Sequence, residues 1–324
     1  MVIRRQHVDD WSVRFLTHFF NAKRSFPERL AVIDHQGNRK TTYREYVSVV
    51  NAFGAELLER GIKPGQVVAI DLGRVMEHHA ARIACFAVGA VFVSLSPALP
   101  EARRATILED SGASLLIDDN FVARALSAHQ DAPECLNINL RDTDPGFIVF
   151  TSGTTGKPKG MLHDRTIFCM LACVLRDIYA KGLGIERLPL ERVFFDVIGA
   201  GHYTHAALCD PTVVMSMFDT LETFGVTVHL IDPALLRDAA GLVGYLKMNQ
   251  INTTIAVPGL LNALAPHITF DCVVIAGDMN RFDFSKLEHT YVANVYGASE
   301  CPIMGLGRRA AKQPGAPASA RQHL

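Results

Sequence analysis

The chain has 324 residues, 49% of them apolar and 20% charged, and a formal net charge of −1. At about 100–200 residues per domain, that length holds roughly two structural units, and the near-zero charge gives no electrostatic case for a nucleic-acid or acidic-membrane partner. The seven cysteines (Cys85, Cys135, Cys169, Cys173, Cys209, Cys272, Cys301) include no Cys-x-x-Cys and read as reduced thiols of a cytoplasmic protein, not as a disulfide framework or zinc site.

In chain order, Met1-Val2-Ile3-Arg4-Arg5-Gln6-His7 has two arginines but no apolar run behind them, so no secretory signal is expected. Thr42-Tyr43-Arg44-Glu45 has the form of a capping box. Tyr46, Val49, Val50, Phe53, Leu57 and Leu58 follow at helical spacing, and Gly61 stops that helix. Lys63-Pro64-Gly65-Gln66 turns the chain into a short buried strand over 67–72. A helix near 75–88 leads to a strand over 90–95, and Pro100 opens a helix that ends at Ser111-Gly112 before a strand over 113–117. The uncharged run 83–100 is long enough to raise the question of a membrane span, but Gly89, Ser94, Ser96 and Pro97 divide it into a helix end and a strand. Strands alternating with helices predict an α/β fold with a mainly parallel sheet. A first unit over 1–145 closes at the Asp-rich stretch 139–145, and a second unit spans 146–307.

The second unit opens on an apolar strand that runs into Thr151-Ser152-Gly153-Thr154-Thr155-Gly156-Lys157-Pro158-Lys159-Gly160, with a helix to follow over 166–181. Glycines let backbone N–H groups turn toward an anion, hydroxyls add donors and lysines add charge, so this composition fits a phosphate cradle. It is not a Walker A loop, because Thr151 stands at the first glycine position and Pro158 follows Gly156-Lys157. Nor does a Gly-x-Gly-x-x-Gly follow the first strand, which argues against a dinucleotide-binding dehydrogenase. Further on, strands are expected over 226–231, 253–257, 272–275 and 291–295, with a helix from Pro233 to about Met248. The last two strands run into Ala276-Gly277-Asp278 and Tyr296-Gly297-Ala298-Ser299-Glu300. In α/β sheets ligands sit at the carboxyl ends of strands, so Gly277, Asp278, Tyr296 and Glu300 point to one crevice.

Residues 151–160 resemble the phosphate-loop signature of the adenylate-forming superfamily: acyl-CoA synthetases, peptide-synthetase adenylation domains and luciferases. Tyr296-Gly297-Ala298-Ser299-Glu300 resembles that superfamily's Tyr-Gly-x-Thr-Glu motif, and Ser94-Leu95-Ser96-Pro97 with Leu108-Glu109-Asp110-Ser111-Gly112-Ala113 extends the likeness into the first half. The resemblance implies the large N-terminal domain of that fold, with two stacked, mainly parallel sheets and flanking helices. It implies an AMP-forming acid–thiol ligase in which a carboxylate attacks the α-phosphorus of ATP, giving an acyl adenylate and pyrophosphate. The acceptor would be CoA or a carrier-protein thiol.

Carried over position by position, the resemblance makes Lys157 and Lys159, with the hydroxyls of Thr151, Ser152, Thr154 and Thr155 and the turns at Gly153 and Gly156, the pyrophosphate cradle. Tyr296 becomes the adenine partner, Ser299 the α-phosphate hydroxyl and Glu300 the Mg²⁺ ligand, in keeping with the oxygen preference of a hard cation. Ala276-Gly277-Asp278 would lie along the adenine, with Asp278 open to an equal reading as an Asx-turn or helix cap. The acid pocket would draw on Val214, Ile255, Val274, Ala276, Val295, Ile303 and Met304, positions that serve equally as plain core. His202 falls at a gate position, and the pair His202-x-x-His205 reads as structural or solvent-facing rather than metal-binding. Asp210 stands near the position that holds a substrate ammonium in amino-acid-activating relatives, about two residues out of register. Gly160-Met161-Leu162-His163 matches acyl- and aryl-CoA ligases and favours an acyl or aryl acid over an amino acid loaded onto a carrier protein. A non-catalytic nucleotide- or acyl-binding remnant is the alternative outside the enzymes.

The superfamily continues into a ribose-binding Asp motif and a mobile C-terminal lid domain, whereas no Asp or Glu follows Glu300 here. Residues 308–324 read as a disordered tail. The expectation is that the lid domain is absent and that the chain, whether a fragment or a natural short form, adenylates weakly on its own.

Overall fold

The computed structural model describes residues 11–35, 39–151, 158–182, 201, 203–210, 212–276, 284–287, 290–298 and 301–309, with 296–298 and 301–309 described for their backbone alone. The chain starts with α1 (Trp11–Ser25), the antiparallel pair β1 (Leu30–Asp34) and β2 (Arg39–Thr42), and α2 (Tyr43–Glu59). Next come β3 (Val67–Ile70), α3 (Met76–Val88), β4 (Val91–Ser94), α4 (Glu101–Ser111), β5 (Leu115–Ile117) and α5 (Asp119–Ala128). β6 (Pro145–Thr151), β7 (Lys159–Asp164), α6 (Thr166–Gly182), β8 (Thr204–Ala207), α7 (Ser216–Glu222) and β9 (Thr227–Leu230) follow. The described part closes on α8 (Ala239–Met248), β10 (Thr253–Ala256), α9 (Pro258–Leu264), β11 (Cys272–Ala276), β12 (Tyr291–Ala298) and β13 (Cys301–Arg309).

Two α/β units form, but they do not part at 145/146, where the sequence led us to expect a break. The first holds 1–27, 44–73 and 77–170; the second holds 28–43, 74–76 and 171–324. Strand pairing explains both departures. β6 pairs in parallel with β4 through Phe92↔Phe147 and Val93↔Ile148, which keeps the β6–β7 hairpin in the first unit. β1 pairs in parallel with β9 through Val32↔Val228, which carries the early hairpin into the second.

The first unit has one sheet in the order β5-β3-β4-β6-β7, parallel except for the antiparallel edge strand β7. Ala69, Val93, Leu95 and Ile107 fill the core between strands and α4, while Phe92 stacks on Phe147 at 5.5 Å and Phe86 meets Phe168 at 4.7 Å. Local signals act as written in the sequence. Gly112 takes the left-handed conformation (φ 62°) that ends α4, and Asp118 caps α5 by accepting from Phe121 N at 2.9 Å. Gly89 turns α3 into β4 at φ +88°, and a Cβ there would lie 2.6 Å from Leu140 Cδ2. The run 83–100 is a helix end and a strand, and no described helix is long and apolar enough to cross a membrane.

The second unit has an eight-stranded sheet in the order β13-β12-β11-β10-β8-β9-β1-β2, antiparallel only at its two ends. Ala206, Ala256, Val273, Ile275 and Val292 pack one face against Leu242 and Leu246 of α8 and Leu261 and Leu264 of α9. The helix expected from Pro233 begins later. A single 3-10 turn, Leu235–Arg237, intervenes, because Asp238 takes an extended backbone and caps α8 by accepting from Gly241 N at 3.0 Å. Pro258 does more than end β10: it opens α9 as its first residue, where a missing N–H costs nothing.

Candidate functional site

The phosphate-loop signature is held by the β6–β7 hairpin of the first unit. Val149↔Met161, Phe150↔Gly160 and Thr151↔Lys159 pair across it, and Ser152, Gly153, Thr154, Thr155, Gly156 and Lys157 lie outside the described residues. The sequence led us to expect strand, loop, then helix; the chain returns first as β7, and α6 begins only at Thr166. The hairpin therefore frames the loop, and any cradle there depends on loop amides, hydroxyls and the lysines. Lys159 is exposed at the start of β7. Gly160 has a packing reason of its own, since a Cβ would meet the Phe150 ring at 2.8 Å.

The second motif follows the same plan in the second unit. β11 and β12 run in parallel with Val274↔Ala293 and Ala276↔Val295, so both end at the same edge of the sheet. Tyr296 and Gly297 are in β12, while Gly277, Asp278, Ser299 and Glu300 lie outside the described residues. Ala298 pairs with Cys301, leaving only Ser299 and Glu300 between β12 and β13. The register shifts between Tyr296↔Gly305 and Ala298↔Cys301, so the β13 stretch with Ile303 and Met304 is bulged against Gly297.

Strand register puts Ile255, Val274, Ala276 and Val295 on one sheet face, opposite the α8 and α9 side. All four are buried, and Val214 is buried just short of α7. Asp210 is half-buried and already engaged: its Oδ1 accepts from Thr212 N at 2.9 Å and from Thr212 Oγ1 at 2.6 Å, an Asx turn. His202, the expected gate, lies outside the described residues.

Of the two readings open for His205, structural or solvent-facing, the structure gives the first: it is the centre of a buried ionic cluster. Its Nε2 is 2.9 Å from Asp219 Oδ1 and its Nδ1 is 3.7 Å from Glu222 Oε1, and all three side chains are fully enclosed. Burial pushes the Glu222 carboxyl up to about 7 against the pull of His205. Burial alone would lower His205, but Glu222 and Asp219 outweigh it and hold the imidazole above its ordinary value. The signal that could have revealed this is the i,i+3 spacing of two carboxylates, Asp219 and Glu222, in an otherwise uncharged helix, which places both on one face.

Two other polar clusters have structural roles. Glu56, Glu59 and His129 are close enough to ligate a metal, alone among the described residues, but Arg60 Nε (2.6 Å) and Arg124 Nε (2.7 Å) already occupy Glu56, so the group is an ion-pair network. Burial opposes the Glu56 charge, yet Arg60, Arg124 and His129 hold its pKa below the usual value. His78 bonds Leu72 O at 2.9 Å and Ser94 Oγ at 3.0 Å, and burial beside Arg82 pushes it down to about 3, so it is neutral.

Comparison with known proteins agrees with this architecture. A family model described as AMP-binding enzyme matches residues 19–315. Tyrocidine synthase 2 of Brevibacillus parabrevis is 27% identical over 317 residues, which is 92% of this chain but 8% of that much longer protein. Among solved structures, the Klebsiella oxytoca NpsA N-terminal subdomain in complex with 3-hydroxybenzoyl-AMSN matches with a TM-score of 0.72 at 22% identity, over 91% of this chain and 76% of that one. The nonribosomal peptide synthetase FmoA3, in an α-methyl-L-serine-AMP bound form, matches with a TM-score of 0.74 at 20% identity, over 93% of this chain and 35% of that one. At these identities the structural likeness speaks for the fold.

Proposed function

The chain belongs to the AMP-binding enzyme family, and on that premise we propose that it activates an amino acid as its adenylate for transfer to a carrier-protein thiol. The observation that carries this reading is the similarity to tyrocidine synthase 2 over 92% of this chain, combined with both signature motifs set on edge hairpins. It replaces the preference for an acyl- or aryl-CoA ligase drawn from Gly160-Met161-Leu162-His163. In the structure that stretch forms the edge strand β7, with Leu162 exposed and His163 packed against the Phe147 ring.

The chemistry asks little of the protein beyond positioning and charge. A carboxylate is already ionised at neutral pH, so its attack on the α-phosphorus needs no general base. Lys157 and Lys159 neutralise charge that builds on the departing pyrophosphate, and the hydroxyls of Thr151, Ser152, Thr154 and Thr155 donate to its oxygens. Tyr296 stacks on adenine, the backbone at Gly277 and Asp278 runs beside it, and Ser299 donates to the α-phosphate. Glu300 offers the hard oxygen donor that Mg²⁺ requires, and the ion, when bound, would screen phosphate charge. The four described free thiols, Cys85, Cys135, Cys209 and Cys272, fit a reducing compartment such as the cytoplasm.

A second reading, an aryl or other acid without an α-amino group, is favoured by one feature. Asp210 spends an oxygen on the Thr212 turn instead of standing free for an ammonium. Calorimetry with non-hydrolysable acyl-sulfamoyl adenosines separates the two. The proposal expects aminoacyl forms to bind at least tenfold tighter than benzoyl forms, with Tyr296→Ala weakening both. Tighter benzoyl binding transfers the case to the second reading, and no binding of either overturns adenylation.

A further inference from the structure

The sheet face that carries Ile255, Val274 and Val295 has one more row beneath them, His205, Thr253, Cys272 and Tyr291, joined by strand register. Asp219 and Glu222 reach His205 from α7, which packs on β8 and β9. The geometry is lopsided. The Asp219 contact, at 2.9 Å, is a hydrogen bond, whereas 3.7 Å between Nδ1 and Glu222 Oε1 is too long for one. Both His205 Nδ1 and Glu222 Oε2 are enclosed without a hydrogen-bond partner. With both carboxylates ionised, two buried anions face one imidazolium, and one carboxylate oxygen has no donor. A proton on Glu222 removes the surplus charge.

We propose that His205, Asp219 and Glu222 form a proton-operated clamp that holds α7, and the 208–215 segment leading into it, against β8 while Glu222 is protonated and loosens them when it ionises. No neighbour supplies the missing charge. From α6, the Tyr179 phenol lies near Glu222 and 3.4 Å from Thr253 Oγ1 of β10; burial raises it far beyond titration. Burial does the same to Tyr203, just ahead of β8, and to the Cys272 thiol of β11, close to which lies Asp271. On β9, His229 bonds Tyr245 at 2.8 Å, and burial, with His205, Lys40 and His35 nearby, pushes it down to about 4, so it is neutral.

The direction of the pH effect follows. Glu222, raised from 4.5 to about 7, keeps a proton in the folded chain that the unfolded chain has lost. Stability therefore falls as pH rises toward 7 and through it. His205, raised from 6.5, adds stability that is complete below 6.5 and is lost as pH climbs through its folded value. The lowered His229 and His78 act oppositely, and only below 6.5.

Thermal unfolding of the full chain from pH 5.5 to 9, with hydrogen exchange of the 216–222 amides, tests the clamp. The expected result is a wild-type midpoint that falls relative to that of Glu222→Gln as pH rises from 5.5 to about 7.5, the difference staying constant above that. The 216–222 amides should exchange about tenfold faster at pH 8.5 than at 6.5 after correction for intrinsic rates. A difference between the two midpoints that does not change with pH overturns the proposal. If Glu222→Gln does not fold, wild-type exchange decides, and equal protection at both pH values overturns it. Because Asp210 and Val214 lie in the 208–215 segment, the KM for the acid should rise over the same window at constant kcat. That last expectation rests on the proposed adenylation; the unfolding and exchange measurements do not.

Discussion

Both signature motifs are carried by a parallel strand that turns back as an antiparallel edge strand, but their connections differ. Residues 152–158 separate Thr151 from its partner Lys159, whereas only Ser299 and Glu300 separate Ala298 from Cys301. A long connection rich in glycine and hydroxyls can fold its amides around an oxyanion of variable shape. A connection of two residues between paired strands leaves far less conformational freedom. The first kind of connection suits the polyphosphate, and the second the metal ligand, of the proposed function.

That contrast can be broken by substitution and insertion. Glu300→Ala or Lys157→Ala should each cut adenylate formation by about 10²–10³-fold, the usual loss when one transition-state charge partner is removed. Single-turnover adenylation would measure it, and a loss below tenfold would remove either residue from the chemistry. One glycine inserted between Ser299 and Glu300 should be as damaging as Glu300→Ala, because it displaces the carboxylate from its register. The same insertion at Gly153 should cost far less, since longer loops are entropically cheap. Equal losses would erase the distinction between the hairpins.

Effects on stability should be smaller and separable from activity. Gly89→Ala combines a positive φ with a Cβ 2.6 Å from Leu140, and an overpacked, strained site of this kind should cost about 1–3 kcal/mol in urea unfolding. Gly160→Ala, pressed against the Phe150 ring, should cost less because that aromatic side chain can shift. Leu162→Lys on the exposed edge strand β7 should change stability by no more than about 0.5 kcal/mol. Stability across pH should peak near 6.5. His78 and His229 are lowered to about 3 and about 4, so they add stability as pH rises toward 6.5; the raised Glu222 offsets part of that gain up to about 7, and the raised His205 withdraws stability above 6.5.

Most of the α/β alternation was legible in the sequence, because Gly61, Pro100, Gly112 and the apolar runs after them follow local rules of capping and periodicity. Helices α1, α5, α7 and α9, hairpin β1–β2 and strands β7, β8 and β13 were not read, and the reasons differ. β7 has the mixed sequence Lys-Gly-Met-Leu-His-Asp, and only its pairing with β6 makes it a strand. β1 takes its place from β9, a partner almost two hundred residues away that no local pattern specifies. The pairing of β6 with β4 likewise shifted the unit boundary away from 145/146. At the site, the motifs were legible because each is contiguous, while the His205 cluster was not, because its members come from a strand and a helix whose meeting is tertiary. Asp210 shows the converse: its spacing invited a ligand role, and the structure gives its Oδ1 to the backbone and hydroxyl of Thr212.

The central claim, that the two hairpins serve adenylation of an amino acid, is tested most directly by amino-acid-dependent exchange of labelled pyrophosphate into ATP. The account predicts exchange with one or a few amino acids, little with aryl acids, and loss on Glu300→Ala with the fold intact. Exchange that is independent of added acid, or unaffected by Glu300→Ala, would contradict it.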